Sequence, residues 1–250
     1  MALSRLFASS SKRAAALAAE APADTRVYAV GDIHGCLDQL KVLQEGILQD
    51  AAESSAARKV VVYLGDYVDR GPDSRGVIDH LIEQPLEGFK SIHLMGNHEQ
   101  FMLDFLRDSD VMRIWLLNGG DETLRSFDVN PFTGGPDGLQ NALREALTAK
   151  EQKFLRNLRL SHTEGDYHFV HAGVKPGVAL DAQDPHDLLW IRDEFLGSKE
   201  DFGKIIVHGH SPRAKPEEPA NRINVDTGAV YGGPLTAVVL EADARHFLQV

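Results

Sequence analysis

The stretch VVYLGDYVDRG (Val61–Gly71) decides the reading of this chain. Apolar, β-branched residues run straight into two aspartates and an arginine set between two glycines. The apolar part reads as a strand buried on both faces. Charge placed at the mouth of a core then needs a partner. The pattern recurs. RVYAV (26–30), KVVVYL (59–64), KSIHLM (90–95), YHFVHA (167–172) and KIIVHG (204–209) are five strand candidates. Each ends in a polar cluster beside glycine: GDIHG (31–35), GDYVDRG (65–71), GNHE (96–99), HAG (171–173) and HGH (208–210). Glycine lets a backbone turn sharply and approach a ligand closely, and ligands of α/β sheets collect at the carboxyl ends of strands.

Between the first three strands the period changes to that of helices. Leu37, Leu40, Leu43 and Ile47 share one helical face; Val77, Ile78, Leu81 and Ile82 share another, with Ser74 as its expected cap. Phe101, Leu103, Phe105 and Leu106 mark a third, less regular helix. Strand–helix alternation predicts an α/β domain over residues 25–250. Residues 108–165 break the alternation: a turn-rich loop, NPFTGGPDG, precedes a helical stretch from Leu139 to Leu160. This segment reads as a helical cap or insertion over one end of the sheet. The C-terminal RINVDTGAVYGGPLTAVVLEADARHFLQV returns to strands and predicts a second sheet packed on the first.

The bulk composition narrows the function classes. The 250 residues are 43% apolar and 25% charged, the proportions of a globular protein. A formal charge of −11 disfavours nucleic acid and anionic membrane surfaces as partners. The single cysteine, Cys36, forms no intrachain disulfide and predicts a reducing compartment, the cytoplasm. No apolar run has the length of a membrane span. Residues 1–24, rich in Ala and Ser, lack the continuous apolar stretch of a secretory signal and read as a flexible tail.

The residue types at the strand ends indicate what is bound. Asp32, His34, Asp66, Asn97, His171 and His210 offer oxygen and imidazole nitrogen and no thiolate. Such a set suits manganese, iron or zinc. It exceeds the needs of one tetrahedral zinc and suffices for two ions if one carboxylate bridges them. A single GDxHG can be a turn whose aspartate caps the next helix. The conjunction argues otherwise. Asp32 and Asp66 lie 34 positions apart and Asp66 and Asn97 31 apart, each interval fitting one strand–helix unit.

GDIHG…GDYVDRG…GNHE, followed by HAG and HGH, resembles the phosphoprotein phosphatase branch of the calcineurin-like metallophosphoesterases over residues 26 to about 240. LLWIRDEF and VHGHSP resemble its bacterial-type serine/threonine phosphatases. The resemblance implies an α/β fold in which a two-sheet β-sandwich is flanked by helices. It implies two divalent ions, manganese foremost with iron or zinc as alternatives. Asp32 and His34 would bind the first, Asp66 would bridge, and Asn97, His171 and His210 would complete the second. His98 would be the general acid, oriented by Asp69, and Arg70 and Arg192 would grip the phosphate. The implied reaction is in-line attack by a metal-bridging hydroxide on a phosphomonoester, with a phosphorylated protein or small phosphoester as substrate.

Within that fold the nearest alternative is hydrolysis of diadenosine tetraphosphate, cleaved symmetrically, or of another nucleotide or polyphosphate. Those relatives typically lack the second aspartate of GDxVDRG and read GNHD, whereas this chain keeps Asp69 and Glu99. A non-catalytic metal-binding scaffold is a third reading, opposed by the presence of His98 and both arginines. His208 and His210 could each reach a metal; the resemblance implies His210 as the ligand and His208 as a supporting residue. VDTGA (225–229) resembles an aspartic-protease turn, but that chemistry needs two such aspartates, so it reads as a turn near the site.

Overall fold

The computed structural model describes residues 19–250. The expected flexible tail lies outside the described residues up to residue 18. Residues 19–24, assigned to that tail, lie on the body: Ala21 is buried and its amide donates to the Ala242 carbonyl (2.8 Å).

Nine strands among the described residues form two sheets. They are β1 (Thr25–Val30), β2 (Arg58–Tyr63), β3 (Phe89–His93), β4 (Ser161–Glu164), β5 (Tyr167–Val170), β6 (Ile205–His208), β7 (Arg222–Asn224), β8 (Thr236–Glu241) and β9 (Ala244–Gln249). The first sheet has the order β3-β2-β1-β8-β9, the second β4-β5-β6-β7. Neighbours among β1, β2 and β3 are parallel, as are β5, β6 and β7; β8, β9 and β4 run antiparallel to theirs. The two C-terminal strands therefore finish the first sheet, and only β7 joins the second, against the sequence expectation. The successive crossovers β1–β2–β3 move in one direction and leave the far edge of β1 open. β8 closes that edge, which would otherwise present unpaired backbone groups.

Nine α-helices among the described residues join or flank the strands: α1 (Leu37–Ala52), α2 (Ser74–Glu83), α3 (Asn97–Arg107), α4 (Met112–Trp115), α5 (Asp121–Ser126), α6 (Gly135–Ala146), α7 (Ala149–Arg156), α8 (Pro185–Trp190) and α9 (Asp193–Leu196). The period of two in each strand sorts its side chains into layers. Val27, Ala29, Val60 and Val62 meet Phe169, Val207 and Ile223 between the sheets. Tyr28, Val30, Val61 and Tyr63 face Leu40, Leu43, Val77 and Leu81 of the helices. Val170 and Ile206 pack on Leu188 and Phe195 from α8 and α9. The result is a helix–sheet–sheet–helix sandwich. No helix among the described residues is long and apolar enough to cross a membrane.

Two local expectations change. The cap of α2 is Asp73, whose carboxylate accepts from the Gly76 amide (2.8 Å), while Ser74 turns its hydroxyl inward. The single helix expected over 139–160 is two, α6 and α7, parted at Leu147 and Thr148. There Thr148 and Glu151 accept reciprocally from each other's amides (3.3 and 2.5 Å), a capping box that starts α7. Helices α4–α7 lie against α2 and α3.

Gly71 fixes how closely the first two strand ends approach. A Cβ on it would overlap the His34 carbonyl oxygen. Gly71→Ala is expected to cost about 1–3 kcal/mol through forced displacement, read as a lower urea midpoint. An unchanged midpoint would show that the two turns do not need this contact.

Candidate metal centre

All five strand ends deliver their side chains to one place. Asp32 and His34 follow β1, Asp66 follows β2, Asn97 opens α3 after β3, His171 follows β5 and His210 follows β6. The backbone there is bent beyond what most residues adopt. Eight non-glycine residues among those described have positive φ, and His34, Asp66, Asp69, Arg70 and His210 are five of them. Such conformations cost of order 1–3 kcal/mol each and persist only where the surroundings impose them.

Glu99 supplies much of that imposition. Its buried carboxylate accepts from the amides of Asp66 (2.8 Å), Tyr67 (2.7 Å), Val68 (3.2 Å) and Gly96 (2.8 Å). One side chain thus ties the turn after β2 to the turn after β3. Burial and the Asp66 charge push its carboxyl up to about 8, with the amide donors pulling the other way. In the sequence Glu99 distinguishes two branches of a family; its grip on both turns depends on the fold.

Two tight groups of ligand-type side chains share Asp66. His34, Asp66 and His98 form one, and Asp66, His171 and His210 the other. In the second, His171 Nδ1 lies 3.0 Å from the Leu64 carbonyl, which can only accept, so Nδ1 carries the proton. His171 Nε2 is then a bare lone pair, 2.9 Å from Asn97 Oδ1 and 3.4 Å from Asp66 Oδ1. His210 Nδ1 sits 2.9 Å from the same amide oxygen. In the first group His34 Nδ1 faces the Val68 carbonyl (2.8 Å), which leaves Nε2 directed at Asp66 Oδ2 (3.3 Å). The lone pairs of His34 Nε2, His171 Nε2, Asn97 Oδ1 and the Asp66 oxygens converge, and a cation fits between them.

The charges agree with that fit. Burial, then Asp226 and Asp66, raise Asp32 well above the ordinary carboxylate range, and burial pushes Asp226 up to about 6. Asp66 is held well below that range, against its own burial, by His171, His98 and His34. Burial depresses His171, and His210 to about 2, so both resist protonation. Asp66 raises His34 against its burial; added cations would relieve the three crowded carboxylates in place of that proton.

Asp32 stands slightly apart from the tight groups. Its oxygens accept from the His210 amide (3.1 and 3.0 Å), and His98 takes its place in the first group. His98 Nδ1 is 2.7 Å from Asp69 Oδ2. Arg70 Nη1 donates to His34 Nε2 (2.7 Å), and Arg192 Nε to His210 Nε2 (3.0 Å). Both guanidinium groups line a cavity of about 160 Å³ over the centre, with Asp32, His34, Asp226 and Tyr231. Two larger cavities, about 390 and 360 Å³, lie away from these residues and contain neither ligand group. His208 is buried outside both groups, with Nδ1 3.0 Å from the Gly209 carbonyl and its ring edge-on to Phe195. Asp226, in the turn that the sequence places near the site, belongs to the cavity wall after β7.

Comparison with known proteins agrees with this geometry. Residues 25–238 match the calcineurin-like phosphoesterase family. The serine/threonine-protein phosphatase 1 of Salmonella typhimurium is 31% identical over 216 residues, 84% of this chain and 89% of that protein. The asymmetrical bis(5'-nucleosyl)-tetraphosphatase PrpE of Oceanobacillus iheyensis is 25% identical over 230 residues, 85% of this chain and 87% of that protein. A cold-active protein tyrosine phosphatase shares the fold, with a TM-score of 0.58 and 19% identity over 90% of this chain and 80% of that one.

Because Asp66 belongs to both ligand groups, Asp66→Asn is expected to lower metal content at both positions. Elemental analysis after dialysis should fall from about two ions per chain to fewer than one, with the far-UV spectrum unchanged. Retention of two ions would remove Asp66 from the centre.

Proposed function

This chain belongs to the calcineurin-like phosphoesterase family, and we propose that it is a dinuclear-metal phosphomonoesterase acting on phosphoserine and phosphothreonine in proteins. The observation that carries the reading is the Asp69–His98 pair set beside Asp66, under two arginines that line the same cavity. The 31% identical serine/threonine-protein phosphatase supports the substrate class.

Asp32, His34, Asp66, Asn97, His171 and His210 would hold the two ions, manganese being the one proposed for this oxygen and imidazole set. When bound, they supply Lewis acidity that activates water and neutralises phosphate oxygens. Arg70 and Arg192 line the cavity, and their planar forks suit the oxygens of a phosphate held there. Asp69 accepts the Nδ1 proton of His98, so His98 Nε2 is the atom that delivers a proton to the departing oxygen. Serine and threonine leave as strongly basic alkoxides, so this proton matters most for them. Tyr231, 65% exposed at the cavity mouth, lies beneath the Arg70 guanidinium (5.8 Å) and limits where it can move. A cytoplasmic location is proposed from the single cysteine.

A second reading is hydrolysis of dinucleoside tetraphosphates. The PrpE relative, an asymmetrical tetraphosphatase where the alternative from sequence was symmetrical cleavage, aligns over 85% of the chain. A comparison of kcat/KM on a phosphothreonine peptide and on diadenosine tetraphosphate separates the two. The peptide is expected to be preferred, and preference for the nucleotide would select the second reading.

The metal-loaded protein is expected to turn over p-nitrophenyl phosphate and to lose that activity to a chelator. Absence of turnover with manganese, iron or zinc would reject the enzyme reading. His98→Asn is expected to lower kcat about 100-fold or more on phenyl phosphate, and far less on 2,4-dinitrophenyl phosphate, whose leaving group needs no proton. Equal loss on both esters would remove His98 as the acid.

A further inference from the structure

Asp69 is fully buried, yet His98 is only one of its carboxylate's partners. The Trp115 indole N–H donates to both oxygens (3.1 Å to Oδ1, 3.0 Å to Oδ2), and the Thr123 hydroxyl donates to Oδ1 (2.6 Å). Both residues come from the segment that follows α3, and both are completely buried. The Asp69 amide points at the Thr123 and Ser74 hydroxyl oxygens (2.8 and 3.0 Å). Thr123 therefore accepts from the backbone of Asp69 while donating to its side chain, which closes a ring around the residue.

We propose that Trp115 and Thr123 are positioning residues for the acid: they fix the rotation of the Asp69 carboxylate and, through it, the His98 ring. The inference rests on His98 acting as the acid. An indole N–H can only donate, and the Thr123 hydroxyl has its acceptor side taken up by the Asp69 amide. With His98 Nδ1, three donors then converge on one carboxylate. Those contacts engage both carboxylate oxygens. The arrangement also leaves Asp69 one direction in which to receive His98 Nδ1, and so directs Nε2 toward the metal side of the site.

The chain between the two residues is shaped to make this reach. Leu116–Gly120 form a wide helical turn in which Gly119 has φ 98°. The Gly119 carbonyl accepts from the Arg70 amide (3.0 Å), and a Cβ on Gly119 would press on Arg70. A Cβ on Gly120 would collide with the Trp115 indole. The two adjacent glycines thus let one turn pass between Arg70 and Trp115. The indole also packs on Phe105 of α3 (ring centroids 4.9 Å apart), the helix that carries His98. The helical segment after α3 supplies the wall behind the acid.

The test uses Trp115→Phe, which keeps the ring and removes the donor, with Thr123→Val and Thr123→Ser. Each is compared with wild type at equal metal content on phenyl phosphate and on 2,4-dinitrophenyl phosphate. Trp115→Phe and Thr123→Val are each expected to lower kcat on phenyl phosphate about 10-fold, with little change on the dinitrophenyl ester. Thr123→Ser should retain the wild-type ratio. In a His98→Asn background neither change should lower the phenyl phosphate rate further, because residues acting as one unit are not additive. Equal losses on both esters, no loss on phenyl phosphate, or a further loss in the His98→Asn background would overturn the proposal. If Trp115→Phe does not fold, the Thr123 pair decides alone. Failure of the acid reading is separate: His98→Asn itself would then show no dependence on the leaving group.

Discussion

The structure is organised around a convergence of acceptors that carry no protons of their own. Asp66 stands between His34 Nε2 on one side and His171 Nε2 on the other (3.3 and 3.4 Å), with Asn97 Oδ1 beside the second. In a buried volume such groups repel unless a positive charge is added. Their proximity is therefore imposed by the fold, through left-handed backbone at His34, Asp66 and His210 and through the four amides gathered by Glu99. The stability of the sandwich is what permits a local arrangement this costly.

Both sheets contribute because neither could supply the set alone. The parallel strands β1, β2 and β3 end together and deliver Asp32, His34, Asp66 and Asn97; the parallel pair β5 and β6 delivers His171 and His210. The core shared by Val27, Ala29, Val60 and Val62 with Phe169, Val207 and Ile223 holds the two sheets in the register that brings these ends together. The proposed catalysis would use an asymmetry around these groups: Arg70 and Arg192 line the cavity, while His98 is held by Asp69, itself backed by Trp115 and Thr123.

Much of this was legible because each motif sits next to its own strand. GDIHG, GDYVDRG and GNHE announce a turn, a donor and a helix start within a few residues, and all of that chemistry is local. What was not legible depends on pairings between distant segments. That β8 would close the β1 edge cannot be read from either strand, and β4 and β7, of four and three residues, are too short for a periodic signal. Glu99, Trp115 and Thr123 gain their roles from contacts 31 or more positions away, with the Gly96 contact of Glu99 the local exception. One miss was avoidable: Thr148-Ala-Lys-Glu151 is a capping-box pattern, and it marks the break between α6 and α7. Asp73 likewise outcompetes Ser74 as a cap because Ser74 is drawn inward toward the Asp69 amide.

The central claim is that Asp66 is shared by two ions. The most direct measurement is an anomalous-scattering map from crystals of the protein loaded with manganese. Two peaks, one on each side of the Asp66 carboxylate, are the predicted result, the first against His34 and the second against Asn97, His171 and His210. A single peak, or two peaks of which one lies out of reach of Asp66, would contradict the account.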